Sequence, residues 1–286
     1  MWWPVAERVD PLETMPVSPY ARLTRRLLWA VAGLVLVFLY LPIAFMVLLS
    51  FNEARTVGLP MTGLSLDWYG RALNNRFLLD AVWNTVVVAL GVSVLATIIG
   101  SMAAWVLVRG RIRYPGAARV VATMPIMFPG MLLGIGILIF LRRVLDLDLS
   151  LYTVVAGHLV FTTPFVILIV AARLQGFDRN LEWAAADLGA DARRVIRYII
   201  LPLIWPAVAA GALISVTLSV DEFIITFFTV GPQLTLPIYI YTQIKFGVTP
   251  EVNAIATMLL VATLGLLLAG TAVLAARRRY ASRGPA

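Results

Sequence analysis

QGFDRNLEWAAADLGADARRVIRYIILPLIWP, residues 175–206, is a charged, alanine-rich interruption in a very hydrophobic chain. Before it lies an uncharged stretch over 149–172, and its own end runs into a second over 198–220. Each is longer than the roughly 18 to 20 apolar residues that cross a bilayer. The segment therefore reads as a polar loop joining two membrane spans, a place where a membrane protein can take hold of a soluble partner. Of the whole chain 61% is hydrophobic and 13% charged, against about 25% charged in a soluble globular domain.

Outward from this loop, further uncharged stretches cover 27–51, 81–108, 120–141 and 252–276. A seventh, over 223–244, is broken by Gly231-Pro232 and again by Pro237, so it reads as an irregular or re-entrant segment beside a transport path. Six spans with both termini inside put seventeen Arg residues on the inner side and only six basic residues on the outer side. A seventh full span would carry Arg277, Arg278 and Arg279 outside, against that bias. The expected organisation is an all-α membrane protein with a cytoplasmic tail over 1–26, one membrane domain over 27–276 that includes the 175–206 loop, and a cytoplasmic tail over 277–286. The net charge of +8 comes from Arg in short loops flanking spans, so orientation against anionic lipid accounts for it and nucleic acid is not expected. The absence of Cys excludes disulfides, thiol catalysis and Cys-ligated metals.

Within the loop, Asp178 is placed to cap a helix start by accepting free first-turn amides. Leu181, Ala184, Ala185 and Leu188 fall at i, i+3, i+4 and i+7 and form one apolar face. Gly189 suits a helix stop, and Asp191 caps the next helix. The periodicity leaves two readings open: a helix packed on its own protein, or one whose small Ala side chains let a partner groove approach closely.

The spacing from Gly189 resembles the EAA signature of permease subunits of ATP-binding-cassette importers. That signature has a short Ala-rich helix, a Gly, nine further residues, then Ile-x-Leu-Pro; here Ile199, Leu201 and Pro202 stand at those places. LSFN at 49–52, RLQGFD at 173–178, ILPLIWPAVAAG at 200–211, TLSVDEF at 217–223 and GVTPEVNAIAT at 247–257 extend the resemblance and bring it nearest to spermidine/putrescine uptake permeases. It implies the six-helix type I importer permease fold in a bacterial inner membrane, with Glu182, Trp183, Ala184, Ala185, Asp187, Leu188, Gly189, Ile199, Leu201 and Pro202 coupling to a cytoplasmic ATPase. It also implies the partners: two copies of that ATPase, which bind the ATP and Mg, a second similar permease that is expected to be a different protein, and an external substrate-binding protein. One position departs from the signature. Its first Glu falls at Trp183, with Glu182 one residue earlier, so either Glu182 supplies the carboxylate or Trp183 makes an apolar contact in its place. Importers of iron, thiamine, phosphonate, opines or amino acids share the architecture, which leaves the substrate open.

Asp221 and Glu222 are adjacent acids at the edge of a span. A carboxylate inside a membrane is costly unless paired or wet, so such acids are candidates to attract a cationic substrate; the other reading has them cap the irregular segment. Asn84, beside Thr85, and Tyr239, beside Tyr241, are weaker polar candidates for the path, with helix capping or interfacial anchoring as the alternative. His158, without a second ligand at metal spacing, reads as a hydrogen-bonded core residue. Pro42, Pro125, Pro129, Pro164, Pro202 and Pro206 are expected to kink spans, and Gly130, Gly134 and Gly136 to allow close helix packing. Trp2, Trp3 and Trp29 read as interfacial anchors, and residues 66–69 as the start of a short interfacial helix. A secondary transporter would be expected to carry an ion site or an inverted repeat, and an enzyme a nucleophile with its base; the sequence offers neither. It also has no glycine-rich phosphate loop ending in Lys-Ser/Thr, so ATP hydrolysis is expected in a separate subunit.

Overall fold

The computed structural model describes residues 19–54, 58, 60–245, 247 and 250–281. The N-terminal tail with Trp2, Trp3 and Arg8, and likewise Arg55 and Arg283, lie outside the described residues. The helices follow in chain order as α1 (Pro19–Leu49), α2 (Asp67–Asn74), α3 (Arg76–Arg109), α4 (Pro115–Thr123), α5 (Gly130–Ile139) and α6 (Leu151–Gln175). Then come α7 (Asn180–Asp187), α8 (Ala192–Val195), α9 (Leu201–Asp221), α10 (Ile224–Thr229), α11 (Leu236–Lys245) and α12 (Pro250–Ala281). Four helices, at Leu23–Leu49, Arg76–Arg109, Leu151–Gln175 and Ala192–Asp221, are long and apolar enough to cross a bilayer.

The stretch over 120–141, expected as one span, is two helical pieces, Pro115–Met127 and Gly130–Val144, bent at 101°. Phe128 and Pro129 sit at the break in extended conformation, at ψ 137° and 132°. A proline disfavours helical backbone at the residue before it, which is why the chain turns here. Pro42, Pro164 and Pro206, by contrast, lie inside uninterrupted helices.

The chain forms two compact units, Met1–Tyr69 with Pro250–Ala286, and Gly70–Thr249. In the first, α1 and α12 touch, and the described part of α1 is exposed along nearly its whole length, with Trp29 73% exposed. The loop after α1 is tied around Asn52: its side-chain oxygen accepts from the amides of Ala54 and Thr62, and its carbonyl accepts from the Trp68 indole at 2.9 Å. Trp68 is buried, and the short helix expected from residues 66–69 is α2, which begins at Asp67.

The second unit is built on α3, α6 and α9. Ala96, Ala104, Val166, Val170, Leu174 and Ile204 form its core. Val166 fits between two glycines: a Cβ at Gly100 would stand 2.7 Å from its Cβ, and one at Gly211 3.2 Å from its Cγ1. With no hydrophobic drive between helices in lipid, close approach at small residues supplies the packing energy. The same device seats α10. A Cβ at Gly134 of α5 would stand 2.7 Å from the Phe228 ring, and one at Gly157 of α6 2.9 Å from Ile225. Gly136 faces open space, and Gly130 makes only ordinary contact, so of the three glycines expected to pack closely only Gly134 does so.

Candidate functional site

The polar loop folds as a capped helix followed by a second helical run. Asp178 accepts from the Asn180 amide at 3.0 Å, one residue ahead of the helix boundary, and α7 follows. It ends in a double bond pattern in which Gly189 donates to Ala186 and Ala190 to Ala185, with Gly189 at φ +82°. A left-handed residue closes this motif, and only Gly adopts that conformation without strain. Asp191 then accepts from the Arg194 amide at 2.8 Å and caps α8. Between α8 and α9 the helix widens into one π turn at Ile196–Ile200, where Leu201 donates to Ile196. Pro202 has no amide and its ring collides with the carbonyl four residues back; the wider turn makes room for it.

The apolar face of α7 is turned outward. Leu181 is 49% exposed and Leu188 90%, with Ala184 exposed and Ala185 half-buried. Trp183 is 62% exposed and Asp187 is exposed beside it. Glu182 faces the other way: its carboxylate lies 2.8 Å from the Arg109 guanidinium, the two side chains 19% and 8% exposed. The atoms are close without the alignment of a hydrogen bond, and the guanidinium also lies 5.6 Å from the centre of the Phe177 ring. Thus Glu182 fastens α7 to the end of α3, and Trp183 is left at the surface. Of the later signature residues, Ile199 is half-buried, while Leu201 and Pro202 are exposed.

A second locus lies where α9 ends. Asp221 is exposed and has no ion pair or hydrogen bond among the described residues. Glu222 turns back to accept from the Ile225 amide at 2.9 Å, starting α10, and its carbonyl accepts from the Thr226 hydroxyl at 2.6 Å. Buried His158 holds this corner from α6, with Nδ1 2.8 Å from the Ser219 hydroxyl and Nε2 2.7 Å from that of Thr226. Since Thr226 spends its proton on Glu222, it accepts from Nε2–H, and Ser219 donates to Nδ1. A neutral imidazole satisfies the whole chain of bonds.

Asn84 and Tyr239 are occupied in holding the irregular segment. Asn84 donates to the Leu234 carbonyl at 2.9 Å, and the Thr85 hydroxyl accepts from the Leu236 amide at 2.7 Å. Tyr239 is buried and accepts from Asn75 at 2.9 Å. Asn84 and Thr85 thus satisfy backbone groups that the break between α10 and α11 leaves without helical partners, and Tyr239 ties α11 to the Asn75 side chain.

Residues 96–283 match the family described as binding-protein-dependent transport system inner membrane component. The chain belongs to this family. The permease is 39% identical over 233 residues to the spermidine/putrescine transport system permease protein PotC of Escherichia coli K12, covering 81% of this chain and 88% of that one. It is 35% identical over 241 residues to the putrescine transport system permease protein PotI of the same organism, covering 81% and 85%. Its fold is shared with a bacterial ABC transporter involved in the import of the acidic polysaccharide alginate, at a TM-score of 0.73 and 18% identity over 90% of this chain and 99% of that one. It is shared also with the inward-facing MetNI methionine ABC transporter, at 0.58 and 18% identity over 74% and 99%.

Several residues that shape these loci in the permease were not singled out by sequence. Arg109 counted only toward topology, yet it receives Glu182; Ser219 and Thr226 hold His158; Asn75 meets Tyr239. Their signal is weak because each is a common polar residue whose partner is far away in the chain.

Proposed function

We propose that this permease forms the translocation path of an ATP-driven importer of polyamines, crossing the inner membrane six times with both termini in the cytoplasm. The observation that carries the coupling role is the outward apolar face of α7, with Trp183, Ala184 and Leu188 presented while Glu182 and Gly189 hold the helix rigid. A short helix fixed at both ends and apolar on its free side suits a groove on a cytoplasmic ATPase. Two copies of that ATPase, binding ATP and Mg, a second permease of the same family and an external binding protein complete the assembly. The identity to PotC and PotI supports the polyamine substrate.

Asp221 supplies the chemistry that such a cargo needs. A protonated amine entering low dielectric loses hydration worth on the order of 20 kcal/mol in the idealised limit, so its path must be wet or lined by counter-charge. Asp221 carries a carboxylate that no described residue neutralises, at a corner braced by His158.

Uptake of labelled putrescine and spermidine tests the reading, in cells with and without this gene and with the ATPase and binding protein intact. Uptake lost on deletion and restored by the gene is expected. Unchanged uptake in a strain without another polyamine importer removes the substrate assignment.

A further inference from the structure

Helix α7 keeps its place without a core of its own. None of its residues is fully buried, and its backbone lies mainly against α8 and the π turn that follow it in the chain. Asp178 and Gly189 fix where the helix begins and ends, but not which side it turns to the spans. Helices in proteins are held chiefly by packing an apolar face, and here that face is turned out.

The contact of Glu182 with Arg109 supplies what apolar burial does not. Arg109 ends α3 and Glu182 stands in the first turn of α7, so each charge sits at the helix end whose dipole favours it. At 2.8 Å the pair is largely shielded from solvent, and loss of one partner leaves the other charge buried without compensation. Arg109 is itself held against the spans: the Phe177 ring, 5.6 Å from the guanidinium, packs on the core of α3, α6 and α9. Glu182 and Ala185, one turn apart, are the half-buried positions of α7, and all its others are exposed. One residue along a helix is about 100° around it. In this rotation a carboxylate at 183 would miss Arg109, whereas one at 182 meets it and leaves the Trp183 indole at the surface.

We propose that Arg109 and Glu182 are a positioning pair. Their contact sets the rotation of α7, and so presents Trp183 and Ala184 to the ATPase while keeping the Glu182 carboxylate away from it. The presentation to an ATPase rests on the coupling reading above; the rotation does not.

The natural chain has no Cys, so single cysteines report on α7 without background. Ala184→Cys and Ala185→Cys are introduced one at a time into the full-length permease. Alkylation by a water-soluble maleimide is timed in lipid nanodiscs, with and without the ATPase. Each is measured in the otherwise unchanged protein, in Glu182→Gln, in Arg109→Gln, and in the exchange of Arg109→Glu with Glu182→Arg. Without the ATPase, the exposed Ala184→Cys should react about fivefold faster than the half-buried Ala185→Cys. That ratio should fall to within about twofold in each single replacement and return to about threefold in the exchange, where each charge opposes its helix end. A ratio unchanged by either single replacement overturns the pair. So does a ratio lost in them and not recovered in the exchange, or no difference between the two cysteines in the otherwise unchanged protein. Adding the ATPase should slow alkylation of Ala184→Cys, and less so once Glu182 or Arg109 is replaced. Equal slowing in every background would overturn the role of the rotation in docking. No slowing in any background would remove the docking reading and leave the rotation result standing.

Discussion

Two buried hydrogen bonds from one imidazole hold the corner between α9 and α10, and His158 is where that corner is most sensitive. Replacing it by Ala takes away the partner of the Ser219 hydroxyl, while Thr226 keeps its bond to the Glu222 carbonyl, and an unsatisfied buried polar group costs about 1–3 kcal/mol. His158→Ala should therefore lower the thermal midpoint of the detergent-solubilised complex and slow uptake, while the ATPase still copurifies; an unchanged midpoint would show the corner to be held by other contacts. Asp221→Asn is the complementary change. It should lower amine uptake with the complex intact and the midpoint unmoved, and unchanged uptake kinetics would return Asp221 to a structural role. A lone His inside an apolar stretch, with no second ligand near, was legible from sequence as a hydrogen-bonded core residue. Its partners were not, since they lie 61 and 68 residues further along. Glu222 shows the same limit: sequence sets it beside Asp221 as an equal, and only the fold turns one inward to cap α10 and leaves the other free.

At the scale of single elements, α7 was the most legible part of the chain. Its caps, its glycine stop and its apolar face follow from local spacing, and each rests on contacts within a few residues. What spacing could not decide was which way that face points, because burial belongs to the whole chain. With the face outward, Ala185→Glu places a charge where a close apolar contact is expected. It should abolish copurification with the ATPase while leaving membrane insertion intact, and retained copurification would remove the docking assignment. The stretch over 120–141 was legible as apolar and, from Pro125 and Pro129, as kinked, but not as bent by 101°. Membrane helices tolerate proline when neighbours re-satisfy the backbone, so Pro125 and Pro129 alone set no angle. The 101° bend sits beside the slot in which Gly134 admits Phe228, and no local pattern reports that slot.

For the molecule as a whole, the basic-residue bias is the argument for orientation: in the proposed six-span arrangement it puts Arg173, Arg179, Arg193 and Arg194 on the same side as both termini. A reporter that is active only outside the cytoplasmic membrane, fused after Ala286, should be silent. The same reporter inserted in the 145–149 turn should be active, and the opposite pattern would overturn the six-span arrangement. Helix α3 gives this arrangement a mechanical consequence. It runs 34 residues without a proline, about 51 Å at 1.5 Å per residue. Arg109 at one end is clamped to α7, and Asp80 lies exposed near the other end. An unbroken helix is stiff along its axis, so a displacement of α7 would reach Asp80, about 44 Å away, with no intervening joint to absorb it.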